Sequence, residues 1–150
     1  MKTSIPRLLI AVLLTLGAVR AHAQDAPWIS DYNKALAQAK ANNSDILMDF
    51  TGSDWCPWCI RMDKEVLSTK QFQDYVTKKN LVLMLVDFPQ TKQLPQDVQD
   101  QNNKLQKQFN VDGYPTFILT DASGKILGQQ VGYLEGGPAA FIALLDGFQK

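Results

Sequence analysis

Two apolar runs, set among stretches of helical periodicity, fix the expected architecture. Leu81 to Phe88 is almost continuously apolar and too short to cross a membrane, which predicts a central strand buried on both faces. Asp45 to Thr51 predicts a second strand of the same kind, carrying Asp49 inside it. Ahead of these runs, Tyr32, Ala35, Leu36 and Ala39 recur at helical spacing. A first helix is therefore expected over Trp28 to Ala41, capped by Ser30 or Asp31 and ended by Asn42-Asn43-Ser44. A second is expected from Pro57 through Leu67, because proline is tolerated in a first turn, where its missing N–H costs nothing. A third spans Lys70 to Lys79, capped by Ser68 or Thr69, with Phe72, Tyr75 and Val76 facing inward.

Beyond the central run, Pro89 to Asn103 is polar and rich in glutamine and asparagine, grading into a helix through Val98, Leu105 and Phe109. A solvated linker helix is the plain reading, and a substrate-contacting insertion the alternative. Phe117 to Thr120 and Ile126 to Val131 flank the turn residues Asp121-Ala122-Ser123-Gly124 and predict an antiparallel hairpin. Gly136-Gly137-Pro138 then opens a helix with Phe141, Leu144, Leu145 and Phe148 on one face. The order α-β-α-α-β-α-β-β-α predicts an α/β fold, a mixed β-sheet with helices on both faces.

Composition narrows the function classes. With 15 Lys and Arg against 15 Asp and Glu, no net field recruits nucleic acid or an acidic membrane surface. Hydrophobic residues make up 45% of 150, which suits one domain with a real core. At the start, Lys2 and Arg7 precede an apolar run from Leu8 to Val19, and Ala21-His22-Ala23 supplies a small-x-small pattern. The run is about a dozen residues, short of the roughly 20 that a spanning helix needs. Residues 1–23 are thus expected to be a cleaved signal peptide and 24–150 the exported domain, periplasmic or secreted. Cleavage there removes the one histidine, His22, which excludes a Cys-His hydrolase.

The candidate chemistry is Trp55-Cys56-Pro57-Trp58-Cys59, which holds both cysteines of the chain. At a helix N-terminus, unpaired N–H groups and the helix dipole favour the Cys56 thiolate, the species that attacks disulfides. Cys59, about one helical turn on, can then close an intramolecular bond and release the product. A structural disulfide is a poor alternative, since so short a loop removes little entropy from the unfolded chain. Zinc lacks ligands, and c-type haem attachment needs histidine where Ile60 stands. A two-coordinate Cu(I) dithiolate stays open on ligand count, since soft thiolates suit that ion.

These residues in this order resemble the thioredoxin superfamily: an apolar strand bearing Asp49-Phe50, then Trp55 to Cys59, then Tyr114-Pro115-Thr116 before a strand, then a Gly-bearing hairpin and a C-terminal helix. Within it, the chain is similar to small exported disulfide reductases of the bacterial periplasm. The resemblance implies a thioredoxin-like fold, with Cys56 as nucleophile and Cys59 as resolving thiol; no cofactor or bound metal is expected. It implies a cis peptide bond before Pro115 that frees the backbone of Tyr114 for an extended substrate, and Asp49 as the buried acid that exchanges a proton with Cys59. Trp55 and Trp58 are candidates for an apolar rim that meets the substrate. Between the cysteines stands Pro57-Trp58, where thioredoxin has Gly-Pro and Dsb-type oxidants have Pro-His. Pro57 removes an N–H and Trp58 adds no positive charge, so an extremely acidic Cys56 is not expected. The expected partners are disulfide-bearing proteins or small molecules and a thiol electron donor, a membrane-bound dithiol protein. No added dimerisation domain of the isomerase kind is visible, and a monomer is expected. The alternatives are a disulfide-introducing oxidant of the same fold, or a non-catalytic module that binds a partner or Cu(I).

Overall fold

The computed structural model describes residues 27–149, so the expected signal peptide and its cleavage site lie outside the described residues. Strand β1 covers Trp28–Ile29, helix α1 Tyr32–Asn42, strand β2 Ile46–Thr51 and helix α2 Pro57–Met62. A π-helical turn, Asp63–Leu67, prolongs α2 and leads to α3, Lys70–Lys79, and to strand β3, Val82–Asp87. Helix α4 spans Gln96–Gln108, the hairpin strands β4 and β5 span Thr116–Thr120 and Ile126–Val131, and α5 spans Gly137–Phe148. The strands form one mixed sheet in the order β1-β3-β2-β4-β5. β1 and β2 run parallel to β3, while β4 runs antiparallel to both β2 and β5.

Side-chain alternation along the central strands divides the core into two layers. Leu47, Leu83, Phe117 and Leu119 point to one face, where Met62, Val66, Leu67, Phe72, Val76, Phe141 and Leu145 of α2, the π turn, α3 and α5 cover them. Ile46, Met48, Phe50, Val82, Met84, Val86 and Ile118 point to the other, under Ala35 and Ala39 of α1 and Leu105, Phe109 and Val111. Fully burying one such aliphatic or aromatic side chain is worth about 1.5–3 kcal/mol, so both layers of the sheet are held firmly. Asp49 shares its face of β2 with Leu47, and the same alternation aims it beneath α2.

Two expectations are corrected. The first helix does not begin at Trp28. Asp31 takes an extended conformation (φ −107°, ψ 115°) and its carboxylate accepts a hydrogen bond from Lys34 N at 3.0 Å, which fixes it as the cap. Upstream of that cap, Trp28 and Ile29 pair with Leu83 and Met84 as an edge strand, and helical periodicity across the boundary was misleading. The glutamine-rich segment is also no free linker. Helix α4 buries Leu105 and Asn102, and the Asn102 amide donates to the Asp87 carbonyl at the end of β3 (2.9 Å), so its polar residues fasten it to the sheet. At the third helix the cap is Thr69, whose hydroxyl accepts from Phe72 N at 3.3 Å.

Candidate active site

Strand β2 ends at Thr51, and the chain must turn sharply to enter α2. Gly52 makes that turn, its carbonyl accepting from Cys56 N (2.9 Å) and Trp55 N (3.3 Å). Cys56 is the N-cap of α2 and Pro57 takes the first turn. The two cysteines, Cα atoms 5.3 Å apart, are joined in a disulfide, so the structure is the oxidised form. Cys59 N lies 3.2 Å from Cys56 Sγ, the one backbone donor directed at that sulfur among the described residues. On the opposite wall the Tyr114–Pro115 peptide is cis, and the Tyr114 carbonyl oxygen sits 3.8 Å from Cys56 Sγ. Gly132 N donates to the Pro115 carbonyl at 2.7 Å and ties this loop to the end of β5.

The approach to the cysteines is latched to the segment after β3. Ser53 donates through N and Oγ to the Asp87 carboxylate (2.9 and 2.6 Å), and the Trp55 indole N–H donates to the Phe88 carbonyl at 2.8 Å. Asp54 collects Gln90 N (2.9 Å), Thr91 N (2.8 Å), Lys92 N (3.2 Å) and the Thr91 hydroxyl. The Thr91 hydroxyl and these amides hold the Asp54 carboxyl well below the usual carboxylate range. Trp55 packs edge-on against Tyr114 and Phe88 stacks on Tyr114, so Trp55 is a fixed wall. Trp58 is 54% exposed against 39% for Trp55 and leans on Tyr133, so it is the more solvent-facing of the two indoles beside the disulfide.

Gly52 is required by this arrangement, because a Cβ there would lie 2.4 Å from the Trp55 indole. Gly52→Ala is expected to push Trp55 off the Phe88 carbonyl and to cost about 1–3 kcal/mol. The urea midpoint and the indole emission report it together, and an unchanged midpoint would contradict the latch.

Beneath the disulfide a cavity of about 260 Å³ is lined by Asp49, Thr51, Ser53, Cys59, Asp63 and apolar side chains. Asp49 is 5% exposed, and its Oδ1 has no hydrogen-bond partner. Burial lifts its carboxyl from 3.8 to about 8, and the negative charges of Asp63 and Asp87 add to the shift. The structure therefore brings Asp49 and Cys59 to one cavity and sets Cys56 against the half-buried Tyr114 beside the cis peptide to Pro115, both cysteines being only 4% exposed. Sequence reasoning missed Asp63, Ser53 and Asp87. Asp63 was open to detection, since it stands four residues after Cys59 and so shares its helix face. Among the described residues no group of three or more His, Cys, Asp or Glu converges on a metal position.

A disulfide that spans one helical turn cannot brace the fold, and this one stands at the carboxyl end of a central strand, open to a neighbouring backbone carbonyl. That defines a thiol–disulfide oxidoreductase of thioredoxin fold. The chain belongs to the thioredoxin-like domain family, which matches residues 32–149. It is 36% identical over 121 residues to the disulfide bond reductase DsbH of Chlamydia pneumoniae, covering 81% of this chain and 71% of the relative. A solved DsbH oxidoreductase superposes with a TM-score of 0.78 at 33% identity, over 89% of this chain and 92% of that one. The thiol:disulfide interchange protein DsbD of Vibrio cholerae is 34% identical over 97 residues, which is 65% of this chain but 14% of the much longer DsbD. Among the described residues no helix is long and apolar enough to cross a membrane.

Proposed function

We propose that the protein reduces disulfides in the periplasm, as a monomer exported by cleavage after Ala23. The observation that carries the direction is the surroundings of Cys56 Sγ: one N–H from Cys59, none from Pro57, and no histidine among the described residues. A strong oxidant needs a much stabilised thiolate in its reduced form, and little here supplies it. The kinship with a protein named a disulfide bond reductase supports the same direction.

In the reduced protein the Cys56 thiolate attacks one sulfur of a substrate disulfide. The substrate S–S bond breaks, one substrate thiolate leaves, and a mixed disulfide forms on Cys56. Cys59 then gives its proton to the ionised fraction of Asp49, attacks Cys56 Sγ and releases the second substrate thiolate. The substrate has gained two electrons and the protein holds the disulfide seen here. Asp49 suits this step because a carboxyl near 8 is matched to a thiol near 8.5, so the proton moves either way at little cost. Tyr114 offers backbone to an extended substrate, with Pro115, Trp55 and Trp58 around Cys56, which is 4% exposed in the oxidised form. A membrane-bound dithiol protein restores the reduced form.

Two assays test this reading. The protein is expected to accelerate insulin reduction by a small dithiol donor, and a rate no higher than that of a Cys56→Ser control would overturn it. N-terminal sequencing of the exported protein is expected to begin at Gln24, and an intact Met1 would overturn the export claim.

A further inference from the structure

Next to the reactive sulfur lies a pocket of about 290 Å³, lined by Trp58, Tyr114, Gly132, Tyr133 and Glu135, of which the reaction above uses only Trp58 and Tyr114. Two of these residues, Trp58 and Tyr133, present an aromatic pair. The Trp58 and Tyr133 ring centres are 5.7 Å apart at 37°, and Tyr114 contributes the wall that adjoins Cys56. Gly132 leaves its part of the lining open, with nothing within 4 Å of where a Cβ would stand. The charge in the pocket is Glu135, which is exposed and makes no ion pair among the described residues.

The same aromatic pair already carries a guanidinium outside the pocket. Arg61 lies 4.5 Å from the Tyr133 ring centre and 5.7 Å from that of Trp58, its Nε bonded to both Glu65 carboxylate oxygens at 3.0 Å. The Tyr133 hydroxyl donates to that carboxylate at 2.6 Å, which fixes the ring. Arg61 is held first by Glu65 and does not line the cavity, so Glu135, which feels the guanidinium only through its longer-range field, is the charge that faces the occupant. Ring faces attract cations and repel anions, and a carboxylate beside them acts in the same sense. An apolar occupant would strip water from Glu135 and return no partner.

From this we infer that the pocket selects a basic side chain, lysine or arginine, one or two residues from the cysteine that Cys56 attacks. The inference rests on the reductase reading and names its substrate class: polypeptide disulfides flanked by a positive charge. The spacing follows from an extended substrate, which advances about 3.3 Å per residue past the Tyr114 backbone.

The test compares three disulfide-linked peptides that differ only in the residue beside the half-cystine, Lys, Leu or Glu. The expected kcat/KM order is Lys, Leu, Glu, with Lys over Glu by about tenfold, carried by KM. In Glu135→Gln that ratio is expected to fall toward one, and in Glu135→Lys to invert. Equal rates for the three peptides in the wild type would overturn the inference and leave the reductase reading standing. A ratio unchanged in Glu135→Gln would also overturn it. Removing residues 1–23 takes away Lys2, Arg7 and Arg20 and no acid, so an unchanged ratio would trace the preference to the acidic domain as a whole. If no peptide is reduced, the reductase reading itself falls, and the pocket's role with it.

Discussion

Replacing Cys56 with serine is expected to remove disulfide reduction down to the rate of the donor alone, while Cys59→Ser is expected to stop the reaction after one step. The asymmetry follows from position. Cys56 is the cap of α2, with its sulfur against the Tyr114 carbonyl, whereas Cys59 lines the cavity that also holds Asp49. Without Cys59 the mixed disulfide on Cys56 has no internal thiol to resolve it, so a covalent adduct with the substrate accumulates and is read by intact mass under non-reducing conditions. Adduct formation through Cys59 in a Cys56→Ser protein would reverse the two roles. The fold is expected to survive both changes, since a crosslink over one helical turn constrains the unfolded chain little.

Asp49→Asn is expected to produce the largest change in stability, and it is a gain. The sign follows from the raised carboxyl. Below pH 3.8 Asp49 is protonated both folded and unfolded and contributes no difference. Between 3.8 and about 8 the unfolded chain releases this proton and the folded protein keeps it, so Asp49 destabilises the fold increasingly as pH rises. Above about 8 the penalty is constant, as much as ~6 kcal/mol for the separation between 3.8 and about 8. Asparagine has nearly the same shape and does not titrate. Urea unfolding of the oxidised wild type and variant is expected to give near-equal stabilities at pH 3.5 and curves that diverge up to pH 8. Parallel curves across that range would mean that Asp49 ionises normally. The same variant is expected to lose activity on the order of 10²-fold, because Cys59 loses its proton acceptor.

The central strands were legible because they are buried on both faces and mostly apolar, as Val82–Asp87 and, despite Asp49, Ile46–Thr51 are. The third helix matched its expected bounds at Lys70 and Lys79 because a threonine cap and a clean apolar face mark it locally. What local pattern did not carry was long-range pairing. Trp28 and Ile29 continue the periodicity of α1, and only their partners Leu83 and Met84 make them a strand. The π turn was likewise hidden. Ser68 N donates to the Asp63 carbonyl at 2.8 Å, one residue beyond helical reach, and the widened turn brings both Val66 and Leu67 to the core. At the site, the cysteines, Tyr114-Pro115 and Asp49 stood out by residue type and order. Ser53, Asp87 and Glu135 did not, because their roles depend on loops that meet only in the folded chain, as where Ser53 reaches Asp87 across 34 residues. Asp49 shows how far a pattern goes: the sequence places an acid in an apolar strand, and only the structure shows that its Oδ1 is buried without a partner.

The most direct test of the central claim is the equilibrium reduction potential of the Cys56–Cys59 pair, from the oxidised fraction in graded thiol–disulfide buffers. With one backbone N–H on Cys56 and no adjacent positive charge supplied by Pro57 or Trp58, a value near that of thioredoxin, about −270 mV, is predicted, and the dithiol is then the working form. A value near about −120 mV would contradict the account, for the disulfide would then be the working form and the protein would introduce disulfides instead of removing them.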